Sequence, residues 1–222
     1  MNKFLPYISG LLFSTIFGFS FMFTKEALEV ISPFQLMGYR FLTAGLLVNI
    51  LWLVGILKID VKFRKIKYLL MVTIAQPVLY FIFETIGMNY TTSSEAGLLV
   101  SLIPVVVTIL AIFFLNETPT RKQSIFIASS VIGVIFITIM KGTTEVSGNF
   151  LGMALIGGAV LMAGAHNILS RKLSVDFKPE VITYFMMTVG ALVFNTMLLS
   201  TSSTNLANYF DSLSNIRVLV PV

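Results

Sequence analysis

Seven apolar stretches, each near the length a helix needs to cross a bilayer, dominate this 222-residue chain: Phe4–Thr24, Pro33–Leu57, Tyr68–Met88, Ala96–Leu115, Ser124–Met140, Phe150–Ser170 and Val181–Ser200. A hydrocarbon core of about 30 Å takes about 20 residues of helix. Backbone groups in lipid must be paired internally, and the runs are twice as long as a barrel strand, so the elements are helices. The expected fold class is an all-α membrane protein with about seven spans present. Only 11% of residues are charged and 56% are apolar, too few charges to coat a soluble core of this size. The first span is read as a retained helix, being too long for a signal-peptide core and lacking a small-x-small cleavage site.

The net charge of +5 raises nucleic acid as a partner, but the charges sit in short loops between the spans. With the N-terminus in the cytoplasm, eleven of the fifteen Lys and Arg residues fall on the cytoplasmic side, from Lys3 through the Lys58–Lys67 loop to Arg171, Lys172 and Lys178. Only Lys25 and Lys141 lie in opposite loops, Arg40 lies within a span, and Arg217 follows the last complete one. That asymmetry predicts a multi-pass protein of the cytoplasmic membrane with a cytoplasmic N-terminus. The chain has no cysteine and a single histidine, so thiolate or multi-histidine metal sites are excluded and no cofactor is expected.

A shift of 146 residues lays Gly18 on Gly164, Lys25 on Arg171, Pro33 on Pro179 and Asn49 on Asn195. Both copies read as apolar helix, basic residue, short loop with proline, and second apolar helix. Five spans per copy is an odd number, so the second copy enters the membrane in the opposite sense. The expectation is an inverted repeat of five-helix bundles, ten helices when complete. Residues 1–145 would be the first repeat, and 146–222 the start of the second, truncated after its second helix. About 73 further residues would supply the counterparts of Tyr68 through Met140. Inverted repeats around a midplane site are a common architecture of secondary transporters.

Several motifs, in order, resemble the EamA-type drug/metabolite transporters across essentially the whole chain. Phe17-Gly18-Phe19-Ser20-Phe21 followed by Lys25 resembles the family's aromatic-Gly-x-x-Phe segment, with Phe17 for the usual tryptophan. Pro33 with Arg40-Phe41 resembles the second helix. Tyr90-Thr91-Thr92-Ser93-Ser94-Glu95-Ala96-Gly97-Leu98-Leu99, then Pro104 and Leu115-Asn116-Glu117, resembles the Tyr-Thr-Ser-Ala-x-x-Ala-x-Leu, Pro and Leu-Gly-Glu pattern, with Asn116 for glycine. Gly133 and Ser170-Arg171-Lys172 extend the match. The resemblance implies ten helices, both termini cytoplasmic, and a central cavity lined by the first, third, fourth, sixth, eighth and ninth helices. The partners expected are a small-molecule substrate and the lipid bilayer, with no nucleic acid and a homodimer left open.

Candidate site residues come from polar groups within spans, where lipid exposure is costly. Thr73, Gln76, Tyr80 and Glu84, spaced three, four and four, are expected on one face of the third helix. Gln76 and Tyr80 are read as substrate contacts on a cavity wall, with Pro77 freeing a carbonyl nearby. Bundle-gluing hydrogen bonds are the alternative. Arg40 and Glu84 lie at similar depth, about 10 Å below the outer boundary by helix rise, and are expected to pair in a coupling or gating role. Glu84 is the proton-coupling candidate; a structural pair is the alternative. His166 and Asn167 in the sixth helix, and Phe17 and Phe21 in the first, complete the substrate-binding set, against plain hydrogen bonding and aromatic packing. Small residues four apart (Gly148 and Gly152, Ala154 and Gly158, Ala159 and Ala163) place the sixth helix in the interior. Pro104 predicts a kink midway along the fourth helix, and Glu117-Thr118-Pro119 a turn.

An intramembrane protease fits poorly. Asp60, Asp176 and Asp211 lie in loops, and His166 lacks a serine in nucleophile context. A passive channel or facilitator remains the competing function, and dependence on a proton gradient separates the two.

Overall fold

A computed structural model describes residues 4–60, 66–141, 149–200 and 218, without the side chains of 5, 6, 13 and 138–141. Its helices are α1 (Leu5–Ala27), α2 (Pro33–Leu53), α3 (Ile66–Thr73), α4 (Tyr80–Tyr90), α5 (Ser93–Val100), α6 (Ile103–Leu115), α7 (Arg121–Lys141), α8 (Phe150–Leu173) and α9 (Pro179–Ser200). A π-helical turn, Ile74–Leu79, joins α3 to α4. Among the described residues, six stretches are long and apolar enough to cross a membrane: α1, α2, Ile66–Tyr90, Ser93–Leu115, α8 and α9. The fifth expected span, Ser124–Met140, folds as α7, which is 21 residues long. Its Ile125, Phe126, Ile132 and Phe136 are exposed, as side chains facing lipid would be.

Local signals set the helix starts. Ser32 and Gln35 form a reciprocal capping box at α2, with Pro33 in the first turn. Thr92 and Glu95 do the same at α5, and Thr120 and Gln123 at α7. Each satisfies backbone N–H groups that a first turn leaves open. The α6 helix ends on Asn116 in the left-handed region, φ 53°. That geometry suits glycine best and asparagine next, which explains why Asn116 can stand at the glycine of the family pattern.

Two expected spans are interrupted. Pro77 lies inside the π turn, and Gln76 is non-helical there, φ −147° and ψ 120°. Thr73, Gln76, Tyr80 and Glu84 therefore do not share one continuous helical face; only Tyr80 and Glu84, four apart in α4, keep that relation. The interruption expected from Pro104 is present, within the turn preceding it, where the proline cannot donate to the Val100 carbonyl. The break is at Ser101–Leu102, and Pro104 occupies the first turn of α6, where a missing N–H costs nothing.

The α8 helix lies at the centre, packed on α4, α6, α5 and α3. Its small residues permit this, as the small-residue spacing suggested. A β-carbon on Gly152 would sit 2.8 Å from the Tyr90 backbone, and one on Gly164 would sit 2.7 Å from Val106. Gly148 lies outside the described residues. The most extensive packing joins α2 to α9, and the two run antiparallel. Gly38 meets Asn195 and Leu198, Gly45 meets Met187 and Ala191, and Asn49 meets Tyr184 and Thr188. A β-carbon on Gly45 would lie 2.7 Å from that of Ala191. The 146-residue shift carries the bounds of α1 onto α8 and of α2 onto α9 to within one residue.

Candidate functional site

Where α1, α2 and α4 cross, the polar groups singled out above converge. Arg40 on α2 donates from Nη2 to the Ser20 hydroxyl of α1, 3.2 Å away. Arg40, Glu84 and Tyr80 lie within electrostatic reach of one another. Glu84 is 4% exposed and Tyr80 2%, so both are withdrawn from lipid and solvent. The Thr85 hydroxyl donates to Glu84 Oε2 at 3.3 Å. Among the described residues the buried Tyr80 hydroxyl has no hydrogen-bond partner.

Aromatic rings wall the group. Phe17 and Phe21 meet edge to face, centroids 5.4 Å apart, and Phe17 packs both on the Phe21 cluster and on Tyr80 with Ala159 and Ala163 of α8. Phe81 contacts Tyr80 and Phe41, each at 5.0 Å. Gln76 sits half-buried in the π turn that leads into Tyr80. The turn matters chemically because Pro77 has no N–H to donate within it, and membranes tolerate irregular backbone only against protein or a water-filled cavity.

His166 lies three residues beyond Ala163 on α8, about one helical turn from the Tyr80 contact. Its Nε2 is 3.2 Å from the Ser170 hydroxyl, its ring abuts the Val72 backbone of α3, and its Nδ1 is buried. Asn167 stands apart: it is exposed and donates to the Ala163 carbonyl of its own helix, 2.8 Å away. Thr73 is buried and bonds the Leu70 carbonyl. The structure thus gathers Phe17, Phe21, Arg40, Tyr80 and Glu84, sets Gln76 beside them and His166 one level away, and leaves Asn167 out. Among the described residues no cluster of three or more His, Asp or Glu side chains is placed to hold a metal ion.

Three contacts lie outside the set derived from sequence. Ser20 gives no signal as one hydroxyl on an apolar helix. Lys25 donates to the carbonyls of Met88, at 2.7 Å, and Asn89, at the end of α4. Glu117, taken as part of a turn, forms a 2.7 Å ion pair with Arg171.

Apolar helices of membrane length around a buried charged cluster define a multi-pass helical membrane protein. Residues 4–139 match the EamA-like transporter family, and the chain belongs to that family. It is 35% identical over 193 residues to a Bacillus subtilis protein described as the uncharacterized transporter YcxC, covering 87% of this chain and 62% of that one. An uncharacterized transporter of Archaeoglobus fulgidus is 25% identical over 80% of this chain and 62% of its own length. A second Bacillus subtilis relative, YyaM, is 28% identical over 96% and 68%. The chain therefore spans about three-fifths of the length of the first relatives it matches.

Proposed function

We propose that this chain serves a secondary transporter of the cytoplasmic membrane, moving a small metabolite, amino-acid-like compound or drug by alternating access, with Glu84 as the proton-coupling group. The observation that carries the reading is the gathering of half-buried Arg40 with buried Glu84 and Tyr80 at the α1–α2–α4 crossing. A lone charge at this depth costs about 2.5–3.5 kcal/mol on insertion scales, so a cluster of opposite charges beside an unwound turn is what a polar path needs and a plain scaffold does not. Phe17, Phe21, Gln76, Tyr80 and His166 line the substrate path in this reading, with Asn167 at its edge. Arg40 balances Glu84 until a proton or substrate takes its place.

The inverted repeat belongs to the same proposal. Asn195 donates to the Gly38 carbonyl and Tyr184 to Asn49. Under the 146-residue exchange, Gly38 maps to Tyr184 and Asn195 to Asn49, so one contact becomes the other. The Gly45–Ala191 contact maps onto itself. Such reciprocity in an antiparallel pair supports a two-fold axis lying in the membrane plane. The charge asymmetry supports a cytoplasmic N-terminus.

Flux of a candidate amino-acid-like solute into proteoliposomes, with and without a proton gradient, tests the coupling. Glu84→Gln is expected to keep solute exchange and abolish gradient-driven accumulation, while Arg40→Gln loses both. Accumulation by Glu84→Gln equal to the parent removes Glu84 from coupling, and flux indifferent to the gradient in the parent favours a passive facilitator.

A further inference from the structure

Between α6, α7 and the end of α8 lies a cavity of about 350 Å³, walled by Pro104, Thr108, Gln123, Phe126 and the Glu117–Arg171 pair. Pro104 stands in the first turn of α6 and Glu117 just past its last, so the lining runs the length of that helix. The cavity is a slot, and its chemistry changes along it. At the Glu117 end are Arg171 and Gln123. Phe126 follows about one turn further along α7, and Pro104 closes the far end. Thr108 spends its hydroxyl on the Pro104 carbonyl of its own helix, 2.8 Å away, so this deeper stretch offers no free donor.

The polar end has donors to spare. Arg171 holds Glu117 through Nη1 at 2.7 Å, and a guanidinium carries more N–H groups than that one bond uses. Gln123 gives its side-chain oxygen to the Thr120 backbone and hydroxyl in the α7 cap, which leaves its amide nitrogen to donate. Lys172, Arg121 and Lys122, adjacent in sequence to these groups or to the turn, are exposed. Among the described residues that line the slot, the one carboxylate is Glu117. The slot also opens outward: Phe126 is 73% exposed, and α7 packs chiefly on α6.

We propose that this slot binds an anionic phospholipid, its phosphate held by Arg171 and Gln123 and an acyl chain laid between α6 and α7 along Thr108 and Phe126. The polarity gradient is that of a lipid, charged at the interface and apolar within. Small-molecule pockets span about 300–1,000 Å³, so this one takes part of a lipid and leaves the rest in the bilayer. Basic pockets between spans recognise anionic headgroups in this way. Glu117 holds the guanidinium in place and at the same time repels the phosphate, which keeps the lipid exchangeable. A free phosphate shares the headgroup chemistry but leaves the apolar length of the slot empty. The inference needs the membrane setting and not the transport reading.

The chain has one tryptophan, Trp52, so Trp52→Phe clears the background for a single reporter. Phe126→Trp then reports from the slot, and Leu11→Trp from an exposed position on α1. In mixed vesicles of phosphatidylglycerol and phosphatidylcholine, with bromine carried by one lipid and then by the other, quenching reads which lipid sits at each reporter. The slot is expected to favour phosphatidylglycerol about fivefold, the scale of one basic group at an anionic surface, and the α1 control to show no preference. Arg171→Gln is expected to reduce the slot to the control, and Glu117→Gln to raise its preference. Both variants break the same ion pair, so opposite shifts separate lipid recognition from a structural role. Shifts of the same sign overturn the site, as does equal preference at the two reporters. Inorganic phosphate in the buffer is expected to leave the preference intact; its loss assigns the slot to a soluble anion and overturns the lipid. Should Arg171→Gln fail to fold, Glu117→Gln alone decides, and no rise in preference overturns the proposal.

Discussion

The α1 and α8 helices occupy the same register under the 146-residue shift, yet they live in opposite surroundings. Along α1, Tyr7, Leu11, Ile16 and Phe19 are exposed, and nothing lies within 4 Å of a β-carbon built on Gly18. Along α8, eight residues are buried, and the counterpart Gly164 is pressed against Val106 and Leu110. Equal sequence position therefore does not give equal constraint. What decides is which helices lie alongside, here α4, α5 and α6 around α8. Glycine at position 164 is demanded by a neighbour; among the described residues, glycine at position 18 is not.

Four experiments break or sharpen that contrast. The largest effect is expected from valine at the paired glycines. Gly164→Val forces Val106 and Leu110 to move and costs about 2 kcal/mol by overpacking, while Gly18→Val stays within about 0.5 kcal/mol; thermal unfolding of the purified protein in detergent reads both. Equal losses at the two positions erase the distinction. Next come the paired cations. Lys25→Met strips a charged donor from the carbonyls ending α4 and is expected to cost about 1.5 kcal/mol. Arg171→Met breaks only an exposed pair and costs at most about 1 kcal/mol. The reverse order would mean that the α1 side is the tighter one.

Smaller still is the coupling within the companion pair, α2 and α9. A double-mutant cycle of Asn49→Ala with Tyr184→Phe is expected to give about 0.6 kcal/mol, typical of interhelical hydrogen bonds in lipid. A zero coupling energy removes that bond from the seam. The smallest effect, that of Asn116→Gly, belongs to the cap that sets Glu117 beside α8, with Asn116→Val as its larger control. Asn116→Gly is expected to change the unfolding free energy by only a few tenths of a kcal/mol, and Asn116→Val to cost about 1 kcal/mol or more, because a β-branched side chain resists the left-handed region. Equal stability of the two variants contradicts the left-handed cap.

The spans were legible because about 20 consecutive apolar residues admit few other structures. The two interruptions show where that legibility stops. Pro77 marked the third span correctly as disturbed, but composition does not say that the disturbance is a π turn, nor that it detaches Gln76 from the face of Tyr80. Pro104 marked the interruption of the fourth span, which falls at Ser101–Leu102 just before it, within the turn whose bond to the Val100 carbonyl a proline cannot make. The three capping boxes were legible as Ser/Thr-x-x-Glu/Gln but are easily lost inside apolar sequence. Arg40 and Glu84, expected at one depth, lie within electrostatic reach of each other, with Ser20 and Thr85 as hydrogen-bond partners at their heads. Ser20 with Arg40 and Glu117 with Arg171 were not legible, because tertiary packing brings them together and no local pattern announces it.

The unwound segment at residues 74–79 has a consequence for how such a protein can change. Pro77 has no N–H to give the helix and Gln76 leaves helical φ/ψ, so the irregularity lies in the main chain and replacing the neighbouring side chains does not remove it. The step in the third span is thus built into the polypeptide itself. Rings and hydroxyls around it can be exchanged while the step stays in place.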